Sequence, residues 1–262
     1  MRSKEELDAA WDKATGLHRA GRLPEAEAIY RQILASQPRM PQVWHQLAIA
    51  QWQQGRHAEA VAAFDQALAA NPDLIESLFG RSDLLMKMDR LSEAMRSLDR
   101  LVALAPDNPE AWILRSGALL FQRRVEEALE SLDRALVLNP DHADALTNHA
   151  AILQQLGRNA EALKSLDRAM ATRPGDARVL NLRGVSLAML GRPQEGLADV
   201  EAALAISPQM VNGHYNHAGV LAELQRFEEA VAAYDRVLAL ALGGGQPSVS
   251  HRASRTDRGK SG

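Results

Sequence analysis

The sequence has no cysteine, few aromatic residues and no long apolar run. Without cysteine, the 262 residues contain no disulfide, no thiolate metal site and no cysteine nucleophile. No apolar run approaches the ~18 residues of a membrane span, and the charged N-terminus lacks the apolar stretch of a signal peptide. We therefore expect a cytoplasmic protein with no membrane span. With only eleven aromatic residues, its core must consist mainly of leucine and alanine.

The charge balance disfavours nucleic acid as a partner. The formal net charge is −3, and acidic and basic residues alternate along the chain. Binding to nucleic acid depends on dense neutralisation of phosphates by lysine and arginine, which this composition does not provide. The high content of alanine and arginine is compatible with a GC-rich bacterial genome.

A pattern recurs every 34 residues, seven times in succession. Six repeats end in proline, at Pro38, Pro72, Pro106, Pro140, Pro174 and Pro208. Small residues precede these prolines by twelve positions, at Ala26, Ala60, Ala94, Ala128, Ala162 and Gly196, and Ala230 continues the series. A fixed period of this length predicts a solenoid of stacked units rather than a globular enzyme domain.

Each repeat has the pattern of two helices. In residues 41–74, Gly55 interrupts the helical periodicity and Pro72 ends it, because proline cannot continue a helix interior. The apolar positions are Trp44, Leu47, Ala48 and Trp52 in the first half and Ala60, Val61, Phe64, Ala67 and Leu68 in the second. Small residues at the eighth and twentieth places of a repeat, such as Ala48 and Ala60, predict closely packed helices.

The spacing of Trp44, Leu47, Ala48, Ala60, Phe64, Ala67 and Pro72 resembles that of the tetratricopeptide repeats. The resemblance extends from about residue 7 to 242 and implies an all-α, right-handed superhelical solenoid of tandem helix-turn-helix units. The implied organisation is a lead-in at 1–6, seven units at 7–40, 41–74, 75–108, 109–142, 143–176, 177–210 and 211–242, and a disordered Gly/Ser/Arg-rich tail at 243–262. It also implies a non-enzymatic scaffold for protein interactions.

Two charged columns recur in all seven units: an arginine in the turn between the helices and a glutamate three residues later. We interpret them as structural, with each charge complementing a helix dipole and the two pairing across the turn. An anion-binding ladder of arginines is the alternative. Arg81, Arg115 and Arg183 replace the leucine expected at the seventh place, where we expect them to loosen local packing.

The sequence offers no pattern for catalysis, a metal or a cofactor. His214 and His217 are three residues apart on one helix, and His149 occupies the same repeat place as His217, but no HExxH motif or acidic cluster completes a metal site. Gly243–Gly245 follows a helix instead of joining a strand to one, so it predicts a linker rather than a phosphate-binding loop. We therefore expect no metal, no cofactor and no enzymatic activity.

The resemblance implies that the first helix of each unit lines a concave groove that binds a protein or an extended peptide. We expect aromatic and apolar residues to anchor partner side chains, and asparagines to pair with a peptide backbone. The alternative is that some aromatic residues pack against the next unit. The candidate groove residues are Trp11, His45, Trp52, Phe79, Met86, Phe121, Asn148, Arg178, Asn181, Asn212, Tyr215 and Asn216.

The seventh unit ends without its proline and without a polar cap, so Val231, Tyr234, Val237 and Leu238 are expected to expose apolar surface. Dimerisation, docking of another protein, and truncation of a longer product are the three explanations. The phrase DRALVLNPDHADAL also resembles the repeat arms of bacterial glycosyltransferases similar to the O-linked N-acetylglucosamine transferases. The alternative function is therefore a truncated substrate-selecting arm. The asparagine ladder of those arms is matched here only at Asn148 and Asn216.

Overall fold

The computed structural model describes residues 4–242, which fold into fourteen α-helices without a β-strand among them. Within this range no helix is long and apolar enough to cross a membrane. The expected disordered tail at 243–262 lies outside the described residues. The helices are α1 (Lys4–Arg19), α2 (Leu23–Ser36), α3 (Pro41–Gln53), α4 (His57–Ala70), α5 (Ile75–Lys87), α6 (Leu91–Leu104), α7 (Pro109–Phe121), α8 (Val125–Leu138), α9 (Ala143–Gln155), α10 (Asn159–Thr172), α11 (Ala177–Met189), α12 (Pro193–Ile206), α13 (Val211–Glu223) and α14 (Phe227–Ala241).

The architecture is an all-α helical repeat solenoid, and the fourteen helices are consistent with seven helix pairs. Two compact units divide the chain: the first covers residues 1–152, and the second covers 153–262. The division falls within α9. The first unit thus holds α1–α8 and most of α9, and the second holds the end of α9 and α10–α14.

Small residues allow the two helices of a pair to approach closely, as predicted. Ala48 and Ala60 are fully buried in the pair α3–α4. The closest approach is in α11–α12, where a Cβ added to Gly184 would lie 2.6 Å from the backbone oxygen of Gly196. Any side chain there would force the helices apart, because protein interiors leave no room for extra atoms.

Every first helix ends in the same hydrogen-bonded turn. In the turn after α1, the Gly21 N–H donates to the His18 carbonyl and the Arg22 N–H donates to the Leu17 carbonyl, which is a Schellman motif. Its left-handed residue is glycine at Gly21, Gly55, Gly157 and Gly191. The other three turns place Asp89, Arg123 and Gln225 at φ values of 59°, 62° and 61°.

The arginine and glutamate columns pair across these turns. Arg22 and Glu25 form two hydrogen bonds of 2.6 Å, and the same pairing recurs in every unit. The hydrogen bond from arginine lowers the pKa of the glutamate carboxyl at Glu25, Glu93, Glu127, Glu195 and Glu229. Because the guanidinium groups are engaged by neighbouring carboxylates, the structure favours the structural interpretation over the anion-binding ladder.

The arginines at the seventh place bridge neighbouring helices. Arg115 donates to Asp99 at 3.0 Å and to Ser131 at 2.8 Å. Arg183 donates two hydrogen bonds, of 2.7 and 2.9 Å, to Asp199. Their guanidinium groups thus form charge-assisted hydrogen bonds at the place where the repeat pattern has leucine, and the looser packing expected there stays a prediction.

Candidate functional site

The candidate site lies on the first helix of each pair. It consists of the residues at the second, fifth, sixth, ninth, twelfth and thirteenth places of each repeat unit. The units begin at residues 7, 41, 75, 109, 143, 177 and 211. We call these residues the groove surface. In the first compact unit it contains a cavity of about 750 Å³. The cavity is lined by Phe79, Gly80, Asp83, Asn108, Glu110, Ile113, Leu114, Gly117 and Asn148.

Three successive first helices form this cavity. Phe79 on α5 and Ile113 on α7 occupy the same repeat place and provide apolar wall, and Asn148 on α9 contributes a side-chain amide. Gly117 keeps the space open, since it has no side chain and a Cβ added there would meet no atom within 4 Å. The structure thus brings together Phe79 and Asn148, two of the predicted groove residues.

Two carboxylates add negative charge to the cavity wall. Asp83 Oδ2 accepts a hydrogen bond from Lys87 Nζ at 3.0 Å, and Glu110 Oε1 lies 2.7 Å from His142 Nε2. Both carboxylates have further acceptor positions. The cavity can therefore accommodate an apolar group that carries a hydrogen-bond donor or a cation nearby.

Next to the cavity, aromatic and basic side chains stack. Lys87 Nζ lies 4.7 Å from the centroid of the Trp52 ring, within the range of a cation–π interaction. Met86 is half-buried beside Lys87, whereas the Phe121 side chain is 67% exposed. Phe121 has the most accessible aromatic surface among the predicted groove residues, and exposed aromatic surface is typical of interaction sites.

Trp11 and His45 pack largely within their own unit. The Trp11 ring lies 6.0 Å from the Tyr30 ring, and the His45 ring lies 5.7 Å from the Phe64 ring. His45 Nδ1 is also 3.0 Å from Ser77 Oγ. Burial lowers the pKa of His45. For these two residues the alternative of packing within the solenoid fits the contacts best.

The second compact unit has a smaller cavity on its groove surface, of about 230 Å³. Tyr215 and Asn216 line it together with Met189 and Tyr234, and the two tyrosine rings meet edge to face at 5.6 Å. Tyr215 remains 58% exposed.

The predicted asparagines of the second unit differ in accessibility. Asn216 Nδ2 donates to Asn181 Oδ1 at 3.2 Å, and Asn181 is only 5% exposed. The Asn181 amide is therefore buried and already engaged by Asn216. Arg178 and Asn212 both lie at the second place of their units and are exposed.

Several residues that line the two cavities were not identified from the sequence, and four of them have long or charged side chains. Asp83 and Glu110 line the larger cavity, and Met189 and Glu223 line the smaller one. The signal was present, because they occupy the ninth, second and thirteenth places of the groove pattern. The emphasis on aromatic residues and asparagines left them out.

Of the histidines considered as metal ligands, His214 lies with its Nε2 2.9 Å from the Pro208 carbonyl oxygen, and the other two lie near single carboxylates. His149 Nε2 lies 3.1 Å from Asp133 Oδ1, and His217 Nε2 lies 3.6 Å from Glu201 Oε1. Over residues 4–242 no group of three or more His, Cys, Asp or Glu side chains is placed to hold a metal ion.

Comparison with family models identifies the repeat. Models described as tetratricopeptide repeat match residues 51–117 and 119–185, residues 12–75 and residues 211–242. The chain belongs to the tetratricopeptide repeat family. Such repeats generally bind protein or peptide partners, so the chain is at a coarse level a scaffold for protein interactions. A search of curated proteins finds no match.

Solved structures of tetratricopeptide repeat proteins share the fold. One from Parabacteroides merdae has a TM-score of 0.70 and 19% identity, covering 90% of this chain and 93% of its own. The pilF protein of Pseudomonas aeruginosa has a TM-score of 0.69 and 18% identity, covering 80% of this chain and 95% of its own. YrrB, described as a TPR protein with an unusual peptide-binding site, has a TM-score of 0.61 and 18% identity, covering 70% of this chain and 95% of its own.

Proposed function

We propose that this protein is a non-enzymatic adaptor that binds an extended segment of another protein on its groove surface. The main anchor is the cavity between Phe79, Ile113 and Asn148. The observation that carries the proposal is the combination, in one cavity of about 750 Å³, of apolar walls, an amide and two carboxylates. A cavity of this size accommodates a large apolar side chain together with adjacent backbone.

The chemistry of the cavity defines the segment it fits. An apolar side chain buried between Phe79 and Ile113 gains from removal of its surface from water. Asp83 and Glu110 favour a lysine, an arginine or a free backbone N–H beside it. The preferred ligand is therefore an extended peptide with one bulky apolar residue and a basic residue close to it. A peptide ligand would also be in keeping with the description of the structural relative YrrB.

The experiment is selection of a phage-displayed random peptide library on the full chain, followed by affinity measurement for the enriched peptides. We expect enriched sequences with a bulky apolar residue next to lysine or arginine. Phe79→Ala should weaken their binding at least tenfold, as expected for a central anchor. Asp83→Asn should reduce the preference for the basic residue and leave the apolar preference intact.

Val137→Ala is the matched control, because Val137 is a highly exposed apolar residue on the second helix α8, away from the groove surface. Circular dichroism verifies that each variant keeps the wild-type helical content. Enrichment of peptides that bind Phe79→Ala as tightly as wild type would refute the cavity as the anchor. The alternative function, as an arm of a glycosyltransferase, stays a hypothesis.

A further inference from the structure

Helix α14 carries an apolar face that the residues within 4–242 leave largely exposed, apart from the contact of the Tyr234 ring with Tyr215. Val231 is 59% exposed, Tyr234 38% and Leu238 58%, and they repeat at helical spacing. Phe227 extends the same face towards the start of the helix and is also exposed. The predicted exposure of the seventh unit is confirmed at Val231, Tyr234 and Leu238.

The first six units show what normally covers this face. The residue at the place of Tyr234 is fully buried in each of them, at Tyr30, Phe64, Leu98, Leu132, Leu166 and Val200. In one case the contact is explicit, because a Cβ added to Gly80 on the following first helix would lie 2.6 Å from Phe64 Cζ. The natural cover for α14 is therefore a helix with the pattern of a first helix.

A ladder of charge pairs connects the second helices α4, α6, α8, α10 and α12 to the first helices that follow them. Five such pairs, with distances of 2.7 to 3.6 Å, join an acidic residue to a basic residue sixteen positions later. They are Asp65–Arg81, Asp99–Arg115, Asp133–His149, Asp167–Arg183 and Glu201–His217. Asp235 is the next acidic residue in this series, and no basic partner for it is seen among the described residues.

Helix α1 is a first helix whose corresponding face is open. At its seventh place it carries Lys13, which forms no ion pair within the described part of the chain, although its charge helps to lower the pKa of Glu25. Ala9 and Gly16, at the third and tenth places, are exposed. The tenth place is buried in all the other first helices, at Ala50, Leu84, Ala118, Ile152, Ser186 and Val220.

The chain beyond α14 is poorly suited to cover the apolar face itself. The segment 243–262 reads GGGQPSVSHRASRTDRGKSG and has Val249 as its single branched aliphatic residue. Covering Val231, Tyr234 and Leu238 requires several apolar side chains at helical spacing. Helix α1 of a second copy, by contrast, has the pattern of a first helix.

We propose that α14 of one copy docks against α1 of a second copy, so that Lys13 of the second copy pairs with Asp235 of the first and continues the charge ladder. The small residues Ala9 and Gly16 let the two helices approach, as small residues do within a pair. The contact joins different surfaces of two identical chains, so it leaves a free α1 at one end and a free α14 at the other. Unless the rotation closes a ring, the assembly is open-ended.

Charge reversal combined with sedimentation velocity tests this arrangement on the full chain between about 1 and 200 μM, the range in which a micromolar contact is detected. Wild type should show a mass that rises with concentration. Lys13→Glu and Asp235→Lys should each weaken self-association roughly tenfold, because each places like charges together. An equimolar mixture of the two variants should recover association, since every contact between unlike copies again pairs opposite charges.

Two further variants make the outcome decisive. Lys164→Glu reverses an exposed charge on α10 and should leave association unchanged, whereas Val231→Glu should abolish it by placing a charge on the apolar face. A wild-type monomer over the whole range would overturn the proposal. Loss of association with Val231→Glu but not with Lys13→Glu would overturn it equally, and would indicate α14 docking against α14 or against another partner.

Discussion

Replacing Asp89, Arg123 and Gln225 with glycine is expected to stabilise the solenoid. These residues occupy the left-handed position of a Schellman turn, with φ near +60°, where four other turns have glycine. None of the three side chains forms a hydrogen bond or ion pair with another residue of the described range, so no contact is lost. The substitutions therefore change chiefly the conformational energy of the backbone.

The magnitude follows from two opposing contributions. A residue with a Cβ in the left-handed region costs about 1–2 kcal/mol. Removing this cost by substitution with glycine is offset by about 0.5–1 kcal/mol, because glycine also increases the conformational freedom of the unfolded chain. Each substitution should therefore stabilise by about 0.5–1 kcal/mol, with Asp89 lowest since aspartate tolerates this region best. The three residues belong to different repeat units and share no hydrogen-bond partner, so their effects should add and the triple variant should gain about 1.5–3 kcal/mol.

The assay is urea unfolding followed by circular dichroism at 222 nm. With a slope of about 3 kcal/mol per molar urea, the triple variant should shift the midpoint upwards by about 0.5–1 M. Gly55→Ala is the converse control and should lower the midpoint, because it introduces a Cβ at a φ of 76°. Arg134→Gly, within the exposed face of α8, should also lower it by removing helix propensity. An unchanged or lower midpoint for the triple variant would refute the argument.

Three other predictions concern single side chains. Gln51→Leu should stabilise by about 1–3 kcal/mol in urea unfolding, because the buried Gln51 Oε1 has no hydrogen-bond partner in the described structure; a lower midpoint would contradict this. Burial lowers the pKa of His45 in the folded state. As the pH drops below about 6.5, the His45 side chain is therefore protonated in the unfolded chain before it is protonated in the folded one, and the free energy of unfolding should fall. His45→Gln should flatten this dependence of stability on pH. Arg183→Ala should cost about 1–3 kcal/mol because it strands the nearly buried Asp199, whereas Arg192→Ala, at an exposed pair, should cost less than about 1 kcal/mol; equal losses would argue against this difference.

The fold was predictable because the same helix-pair pattern occurs seven times in the sequence. Each turn, small residue and proline recurs at a fixed period, so an error at one position is corrected by six others. The places of Ala60 and Phe64 are buried in nearly all units, and packing alone explains why the same type of residue recurs there. The period therefore predicted both the helices and the residues that pack between them.

The candidate site was less predictable, since groove residues differ from unit to unit. Which partners lie across the surface depends on three-dimensional neighbours that belong to other repeat units. The pairing of Asn216 with Asn181, and the acidic wall formed by Asp83 and Glu110, arise from such neighbours. The role of Arg115 was missed for the same reason, because its carboxylate partner belongs to the preceding unit.

In an array of similar units, a residue that breaks its own column is more informative than one that follows it. Gln51 stands where the other six first helices have leucine, and it lines a separate cleft with Trp44 and Leu47. Asp235 follows its column but lacks the basic partner that five preceding acidic residues have within the described structure. The first exception marks a local defect in packing, which a single substitution repairs. The second is the basis of the proposed contact with α1 of a second copy, whose Lys13 would supply the basic partner.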